Sequence, residues 1–282
     1  MALNLGEDIP TLFPKTAEIG EGFNARFEKY ATVVVSLDGR GNTDNLADAL
    51  KMVAAGGTIH VMSGTYTHTA TVDLNVNNIF IEGEGESSII YLNTNTEIFS
   101  ISSQSFIRIS NLYLKGSGNA ANTSNHGIKV TGNCKGLRFE HIKFDYIGGK
   151  CIYFYTVSGE TNQQNFIQNC IMGESWAGAG NHIEFLATGA GADSDIRDNT
   201  IFGNIIKYAG TDGILIDTTG NGYCNQNKII ANYIRESGSR GIYIQDVQCI
   251  KTLILGNSCI DNVTADITNL GLTTESAHNL TT

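Results

Sequence analysis

The chain has 282 residues, of which 41% are hydrophobic, and its formal net charge is −10 at pH 7. That apolar content is sufficient for a substantial core, and an all-β chain of this length can form a single domain. Because phosphate binding requires a basic surface, the charge argues against a nucleic-acid partner. No apolar run approaches the roughly 20 residues of a membrane helix, so we expect no membrane insertion.

The N-terminal residues 1–30 are expected to form a separate arm. They contain both prolines, Pro10 and Pro14, and show no clear periodicity. An arm of this kind packs on the outside of the domain, holds a partner or forms a flexible terminus. The segment is acidic and lacks a basic stretch followed by an apolar run, so we expect no secretory signal peptide.

The first regular elements are expected to be a strand, a helix and a second strand. The sequence ATVVVSLDG at 31–39 is a β-branched run that ends in Asp-Gly, which predicts a strand and a turn. A helix is expected over 43–54, with Thr43 as its N-cap and Gly56-Gly57 as its end. Residues 58–61 then predict a strand.

From about residue 72 to 268, short β-rich runs alternate with Gly, Asn and Ser turns, and two features repeat. One feature is an apolar residue, a spacer and a polar turn residue, found at Ile109/Asn111, Phe139/His141, Ile167/Asn169, Ile230/Asn232 and Leu255/Asn257, with Asn199 fitting after a one-residue shift. The other is a strand start, found at Gly127, Cys151, His182, Gly213 and Gly241.

A repeat of this size, built from short strands, predicts a coil of about seven or eight stacked turns. Side chains at the same place in successive turns then lie about 4.8 Å apart. Asparagines stacked in this way can hydrogen-bond to one another. We therefore expect a structural ladder of Asn111, Asn169, Asn199, Asn232 and Asn257, with His141 as the one substitute. The helix at 43–54 is expected to cap the coil, because an open end would expose apolar side chains and strand edges.

The run DGRGNTDNLADALKMVAAGGTIHVMSGTY at 38–66 resembles the opening of pectate-lyase-like proteins, and IEGEGESSIIYL at 81–92 is similar to their next turn. The resemblance implies an all-β fold, the right-handed single-stranded parallel β-helix with a short N-terminal capping helix. We expect this β-helix to cover residues 31–268, with a C-terminal tail at 269–282. The family includes pectate lyases, polygalacturonases, alginate epimerases and phage tailspikes, so the resemblance does not select one function.

The outward positions of the second repeated strand are candidates for chemistry. Glu184 and Asp217 are expected to lie one turn apart, offset by two residues, with carboxyl groups about 5–9 Å apart. This range covers both glycosidase geometries, with one carboxyl as acid and the other as base or nucleophile. His182 is a candidate for aiding proton transfer. Alternatively, these are ordinary surface residues, since acids on a β-surface are common.

Four aromatic residues are candidates for glycan binding. Tyr153, Tyr155 and Tyr243 flank the two acids, and Trp176 lies in the loop ESWAGAG just before the strand of Glu184. Rings of this kind stack on the faces of sugars, although tyrosine also suits strands whatever the function. We expect no metal and no cofactor, because the six cysteines have no zinc-like spacing and are best explained as free thiols.

The catalytic signatures of the family are missing from the coil. The aligned strands show no Asp-rich column, as pectate lyases use for calcium, and no polygalacturonase signature, since the Asn42-Thr43-Asp44 match belongs to the expected cap helix. The Asp-Pro-His-Glu stretch of alginate epimerases is also absent, because no proline follows Pro14. These absences favour a structural protein over polyuronate chemistry.

The sequence therefore predicts a virion or surface structural protein of the phage tailspike or tail-fibre kind, which presents a glycan- or receptor-facing surface. The alternative is a carbohydrate-active enzyme, a glycoside hydrolase or polysaccharide lyase, that acts on a surface polysaccharide. A third possibility is an architectural coil that binds no glycan. The resemblance implies a parallel homotrimer on a virion or extracellular surface. Its expected partners are a cell-surface polysaccharide or glycan and, through the N-terminal arm, other virion proteins.

Overall fold

The computed structural model describes residues 30–119, 121–173 and 180–282, without the side chains of 190–193. The predicted N-terminal arm up to residue 29 and the loop that holds Trp176 lie outside the described residues. The described part consists almost entirely of strands, with one short α-helix. Within it, no helix has the length and apolarity needed to cross a membrane.

The strands follow one another along the whole described chain. They are β1 (Tyr30–Val35), β2 (Val53–Val61), β3 (Gly64–His68), β4 (Val72–Asp73), β5 (Phe80–Gly83), β6 (Ser88–Leu92), β7 (Phe99–Ser102), β8 (Arg108–Ser110), β9 (Tyr113–Lys115), β10 (Ile128–Thr131), β11 (Cys134–Lys135), β12 (Arg138–Glu140), β13 (Lys143–Asp145), β14 (Ile152–Thr156), β15 (Thr161–Gln163), β16 (Phe166–Gln168), β17 (Ile171–Met172), β18 (Ile183–Arg197), β19 (Thr200–Phe202), β20 (Ile205–Lys207), β21 (Ile214–Asn225), β22 (Lys228–Ile230), β23 (Tyr233–Arg235), β24 (Arg240–Ile244), β25 (Leu253–Leu255), β26 (Ser258–Ile260), β27 (Ala265–Asn269), β28 (Glu275–Ala277) and β29 (Leu280–Thr281).

These strands form three parallel sheets, which the chain visits in turn. Sheet A has the order β1-β2-β5-β8-β12-β16-β19-β22-β25-β28, and sheet B has the order β3-β6-β9-β13-β17-β20-β23-β26-β29. Sheet C has the order β4-β7-β10-β14-β18-β21-β24-β27, with β11 and β15 beside it. The chain is therefore a parallel β-solenoid of about eight turns, which confirms the predicted all-β coil.

The interior is filled by columns of apolar side chains that stack in register from turn to turn. In sheet C, Ile152 pairs with Ile183, and Ile183 pairs with Ile214. Phe154 and Phe185 stack edge to face inside the coil, with ring centroids 5.0 Å apart. All six cysteines are buried and free, as the sequence predicted.

The helix α1 (Leu46–Met52) is shorter than the 43–54 expected from the sequence. Its N-cap is Asn45 rather than Thr43, because Asn45 Oδ1 accepts a hydrogen bond from Ala47 N at 2.8 Å. Strand β2 begins directly after the helix, so Gly56-Gly57 lies inside that strand and does not end the helix. The capping role of α1 remains a prediction, since residues 1–29 lie outside the described chain.

The corners between sheets use a left-handed residue followed by a buried one. At the corner between sheets A and B, Asn111, His141 and Asn169 have φ angles of 54°, 53° and 53°. All three are exposed, and the residue that follows each is buried. Asparagine is favoured here because it tolerates the left-handed conformation. The prediction that Asn111, His141 and Asn169 belong to the ladder is therefore wrong.

An asparagine ladder does occupy the buried position of the A–B corner, one residue further along the chain. Asn232 Oδ1 accepts hydrogen bonds from Asn204 N at 3.0 Å and from Asn204 Nδ2 at 2.9 Å. Asn232 Nδ2 donates to Ile201 O at 3.0 Å and to Asn257 Oδ1 at 2.9 Å. The side-chain amide is thus fully bonded although it is buried. The members of this A–B ladder are Asn204, Asn232, Asn257 and Asn279.

A second ladder occupies the corner between sheets C and A. Asn199 belongs to this one, so the predicted Asn199, Asn232 and Asn257 are ladder residues but do not form a single column. Asn165 Nδ2 donates to Asn199 Oδ1 at 2.9 Å, and Asn199 Nδ2 donates to Asn227 Oδ1 at 3.0 Å. We call this the C–A ladder.

The coil continues past the expected boundary at residue 268. Strand β28 pairs with β25 in sheet A, and β29 pairs with β26 in sheet B. Asn279 extends the A–B ladder between them, because its Oδ1 accepts a hydrogen bond from Asn257 Nδ2 at 3.0 Å. The segment 269–282 therefore adds strands to the coil, where the sequence suggested a tail.

Candidate functional site

The outward face of sheet C holds the predicted acids and tyrosines in two columns. Glu184 is paired in register with Tyr153 on one side and Leu215 on the other, and Leu215 is paired with Tyr243. Asp217 lies in the next column, paired with Leu186. Glu184 and Asp217 are thus on adjacent strands and offset by two residues, as predicted. The strand spacing and rise place their Cα atoms about 8 Å apart.

Glu184 is a buried and tightly held carboxylate, with a side chain only 8% exposed. Lys150 Nζ lies 3.5 Å from Oε1, and Asn181 Nδ2 donates to Oε2 at 2.5 Å. Asn181 is fixed in turn, since its Oδ1 accepts hydrogen bonds from Thr211 Oγ1 at 2.5 Å and from Asp212 N at 2.9 Å. A charge buried in this way requires its partners, so Glu184 and Lys150 act as a unit.

Asp217 is half-buried and differs from Glu184 in its electrostatics. Burial raises the pKa of its carboxyl group, and the negative charges of Asp246 and Glu184 act in the same direction. A hydrogen bond of 2.8 Å from Thr218 N to Oδ1 opposes this effect on the pKa. A carboxyl group with a raised pKa is the kind that can serve as a general acid.

His182 does not lie on this outward face. It is 1% exposed, with Nδ1 3.1 Å from Cys151 Sγ and Nε2 2.8 Å from Lys207 O. Burial lowers the pKa of the ring to about 4. The alternation of the strand does not extend into the corner, where both His182 and Cys151 point inward. The expected role of His182 in proton transfer therefore has no geometric basis.

The three described tyrosines of the predicted glycan-binding set are all half-buried, and two of them are covered by cations. Lys150 Nζ lies 4.4 Å from the centre of the Tyr153 ring, and Arg240 Cζ lies 3.8 Å from the centre of the Tyr243 ring. A sugar that stacks on either covered face must displace a cation. Trp176 lies outside the described residues.

Tyr155 is the third described ring of the set. Its ring centroid is 5.8 Å from that of Tyr153, and no cation is recorded over it in the described chain. Thr188 Oγ1 lies 3.4 Å from its hydroxyl and donates to Thr156 O at 3.0 Å. Thr188 also lines an open groove of about 530 Å³ at the end of the sheet C strands, whose other lining residues are Val157, Ser158, Gly189, Thr219 and Gly220. Tyr155 thus stands at the edge of a space that a ligand can enter.

A row of polar residues at the start of the sheet C strands was not identified from the sequence. We call it the rim; it lies two residues before each first isoleucine of the strands and comprises His126, Lys150, Asn181, Asp212 and Arg240. Arg240 N donates to Asp212 Oδ1 at 3.0 Å, much as Asp212 N donates to Asn181 Oδ1 at 2.9 Å. The strand starts were aligned in the sequence, and comparison of the residues one position earlier would have revealed this row.

The described residues offer no ready metal site. Across 30–119, 121–173 and 180–282, no group of three or more His, Cys, Asp or Glu side chains is arranged to hold an ion.

No protein-family model and no curated protein matches the chain. Several solved structures match it. A rhamnogalacturonan lyase matches with a TM-score of 0.56 at 14% identity, over 82% of this chain and 68% of that one. The A-module of the Azotobacter vinelandii mannuronan C-5 epimerase AlgE4 matches with a TM-score of 0.49 at 16% identity, over 80% of this chain. The Dettilon tailspike protein (gp208) matches with a TM-score of 0.48 at 14% identity, over 82% of this chain.

The chain spans 65% of the length of the epimerase module and 51% of that of the tailspike protein. The likeness to the lyase is one of fold, since identity is low. The chain has the fold of the pectate-lyase-like parallel β-helix proteins.

Proposed function

We propose that this chain is a glycan-binding β-helix of a virion or extracellular surface, of the phage tailspike or tail-fibre kind. In this proposal a cell-surface polysaccharide lies along sheet C and stacks on Tyr155. The observation that carries the proposal is the position of Tyr155, which has no recorded cation over its ring in the described chain and is joined to an open groove through Thr188. Polar groups held rigidly beside an aromatic ring are typical of saccharide sites, because they bind without being ordered first.

The placement on a virion or extracellular surface rests on the sequence. The chain resembles a family that includes phage tailspikes, and its coil lacks the catalytic signatures of the enzymes in that family. A parallel homotrimer and contacts to other virion proteins through residues 1–30 belong to the same proposal. Light scattering at micromolar concentration tests the assembly, and a monomer there would count against the tailspike assignment.

The glycan site is tested by substitution at Tyr155. We expect Tyr155→Ala to weaken binding to a responsive polysaccharide on a glycan panel by about tenfold or more, because stacked aromatic anchors carry much of the binding energy. Tyr155→Phe keeps the ring and should bind like the wild type. Phe80→Ala removes an aromatic side chain that is 39% exposed on strand β5 of sheet A, and serves as the control. Equal binding by all variants would overturn the assignment of the site.

A carbohydrate-active enzyme is the second candidate, because Asp217 combines a raised pKa with a neighbouring buried carboxylate. In this reading Asp217 is the acid and Glu184 is the base or nucleophile of a glycoside hydrolase, or the two assist a polysaccharide lyase. Reducing-end release and absorbance by unsaturated sugars distinguish the two reactions. Cleavage that is abolished by Asp217→Asn and by Glu184→Gln would establish the enzyme and displace the purely structural assignment.

A further inference from the structure

A second groove lies on a different face of the coil, across the first turns of sheet B. It has a volume of about 650 Å³, which is within the range of small-ligand sites. Two columns of side chains form its floor. Thr65 is paired with Ile89, and Thr67 is paired with Tyr91, which is paired in turn with Lys115. Tyr146, from the corner after β13, closes one side.

Beside Tyr146, the wall continues as the loop of residues 116–118, which hydrogen bonds hold in place. Gly118 N donates to Tyr146 O at 2.9 Å, and Asn122 Nδ2 donates to Ser117 Oγ at 2.9 Å. Gly116 is tightly enclosed, since a Cβ atom there would lie 2.3 Å from Asn125 Oδ1 and from Tyr146 O. The groove is thus bounded by backbone with little freedom to collapse, so it is formed before any ligand arrives.

Lys115 is the feature that indicates the chemistry of the ligand. Its ammonium group lies 5.5 Å from the centre of the Tyr146 ring, and within the described residues no carboxylate lies within ion-pair distance of it. The nearest strand neighbour, Asp145, is paired instead with Lys143 at 3.5 Å, and Glu86 is paired with Lys143 at 2.8 Å. In a chain with a charge of −10, a lysine in a groove that no carboxylate of the described residues neutralises favours an anionic ligand.

The remaining groups of the groove suit a sugar. Tyr91 presents a half-buried ring for stacking, whereas the Tyr146 ring holds the Lys115 ammonium against one face. Thr65 and Thr67 are exposed along the same floor. A ring face, hydroxyl groups and a lysine that no carboxylate of the described residues pairs with together match the apolar face, hydroxyl groups and carboxylate of an acidic saccharide.

We propose that the groove on sheet B is a second glycan site, which binds a saccharide bearing a carboxylate through Lys115, Tyr91 and Tyr146. The carboxylate lies against the Lys115 ammonium, and the sugar ring stacks on Tyr91. This site is separate from the one on sheet C, so each can be present without the other.

Calorimetric titration with a glucuronate-containing tetrasaccharide and its carboxyl-reduced counterpart tests the proposal. The acidic probe should bind to the wild-type protein at millimolar concentration or below, and the reduced probe should bind about tenfold or more weakly, because it loses the charge-assisted contact. Lys115→Gln should weaken only the acidic probe, to the level of the reduced one. Tyr91→Ala should weaken both probes, whereas Tyr91→Phe should restore both.

Controls separate this site from the remainder of the surface. Lys228→Gln removes an exposed lysine of sheet A and should leave binding unchanged. Tyr155→Ala, on sheet C, distinguishes the two sites, and circular dichroism with thermal melting verifies that each variant is folded. No binding of the acidic probe, equal binding of the two probes, or loss of binding through Tyr155→Ala but not through Lys115→Gln would overturn the sheet B site. The last result would at the same time support the site proposed on sheet C.

Discussion

The early and the late turns of the coil fill the same corner in different ways. In the A–B corner, the buried position after the left-handed residue is apolar at Leu112 and Ile142, and then becomes an asparagine at Asn204 and Asn232. The C–A corner makes the same change one turn earlier, between Leu137 and Asn165. Identical backbone geometry is thus compatible with a hydrophobic corner or with a hydrogen-bonded one.

Cys170 stands at the transition in the A–B corner and shares properties of both kinds. Its Sγ lies 3.5 Å from Phe139 O, the carbonyl position that the ladder amides use in later turns. Its backbone N donates to Asn204 Oδ1 at 2.9 Å, so Cys170 is the first residue of this corner whose backbone is hydrogen-bonded to a ladder side chain. The corner needs its backbone groups hydrogen-bonded and its volume filled. Either an apolar residue or an asparagine meets this need.

Removal of one ladder amide should have the largest effect. Asn232→Ala leaves Asn204 N, Asn204 Nδ2 and Ile201 O without their partner in a buried corner. We expect the free energy of unfolding, measured with urea, to fall by about 4 kcal/mol. Asn232→Leu should be no better, because an apolar side chain cannot serve those groups. A loss near 1 kcal/mol would show that the ladder adds little to stability.

Truncation in an apolar corner should cost slightly less and should tolerate conservative repair. Ile142→Ala leaves a cavity in a site that is 1% exposed, and we expect a loss of about 3.5 kcal/mol in the same urea experiment. Ile142→Val should lose only about 1 kcal/mol. The contrast with Asn232 would disappear if Ile142→Val were as damaging as Ile142→Ala, since that outcome would mean that the corner depends on a specific contact rather than on filled volume.

The corner between sheets B and C buries a titratable side chain, His182, so its contribution to stability depends on pH. The folded state holds His182 neutral with a pKa near 4, whereas the unfolded chain takes up a proton below about pH 6.5. Stability should therefore fall as the pH drops from 6.5 towards 4, by up to about 3 kcal/mol. His182→Gln should remove this part of the pH dependence. The quantity to measure is the slope of the free energy of unfolding against pH, in the variant and in the wild type.

The smallest effect is expected at the last member of the A–B ladder. Asn279 accepts from Asn257 N at 2.9 Å and from Asn257 Nδ2 at 3.0 Å, but it is only partly buried, so water can replace part of what is lost. We expect Asn279→Ala to lower the free energy of unfolding by about 1 kcal/mol. A loss as large as that of Asn232→Ala would show that the ladder acts as one cooperative unit from end to end.

The sequence predicted the coil because its repeat is carried by two independent features, the turn asparagines and the isoleucine strand starts. The ladder was predicted only in part. Asn111 and Asn232 look equivalent in a one-dimensional pattern, yet one is a left-handed residue on the surface and the other is buried. Asparagine is favoured at both positions for different physical reasons, so residue type alone could not separate them.

The candidate site was also predicted only in part. The two-residue offset of Glu184 and Asp217 follows from strand periodicity and was predictable. The burial of His182 was not, because the alternation of a strand gives no information about a corner. The cations over Tyr153 and Tyr243 come from the rim, whose residues become neighbours of the tyrosines only when successive turns are stacked.

The parallel register has a consequence for how such a coil can change its length. From β19, β20 and β21 to their neighbours in the next turn, each of the three sheets advances by the same 28 residues: Thr200 to Lys228, Ile205 to Tyr233 and Ile214 to Ile242. Both ladders advance by 28 residues over this turn as well. Excision or duplication of residues 200–227 would therefore shorten or lengthen the rod by one unit while every column stays aligned. One turn is thus a module. Duplication of the module would repeat its surface residues along the coil at a fixed spacing.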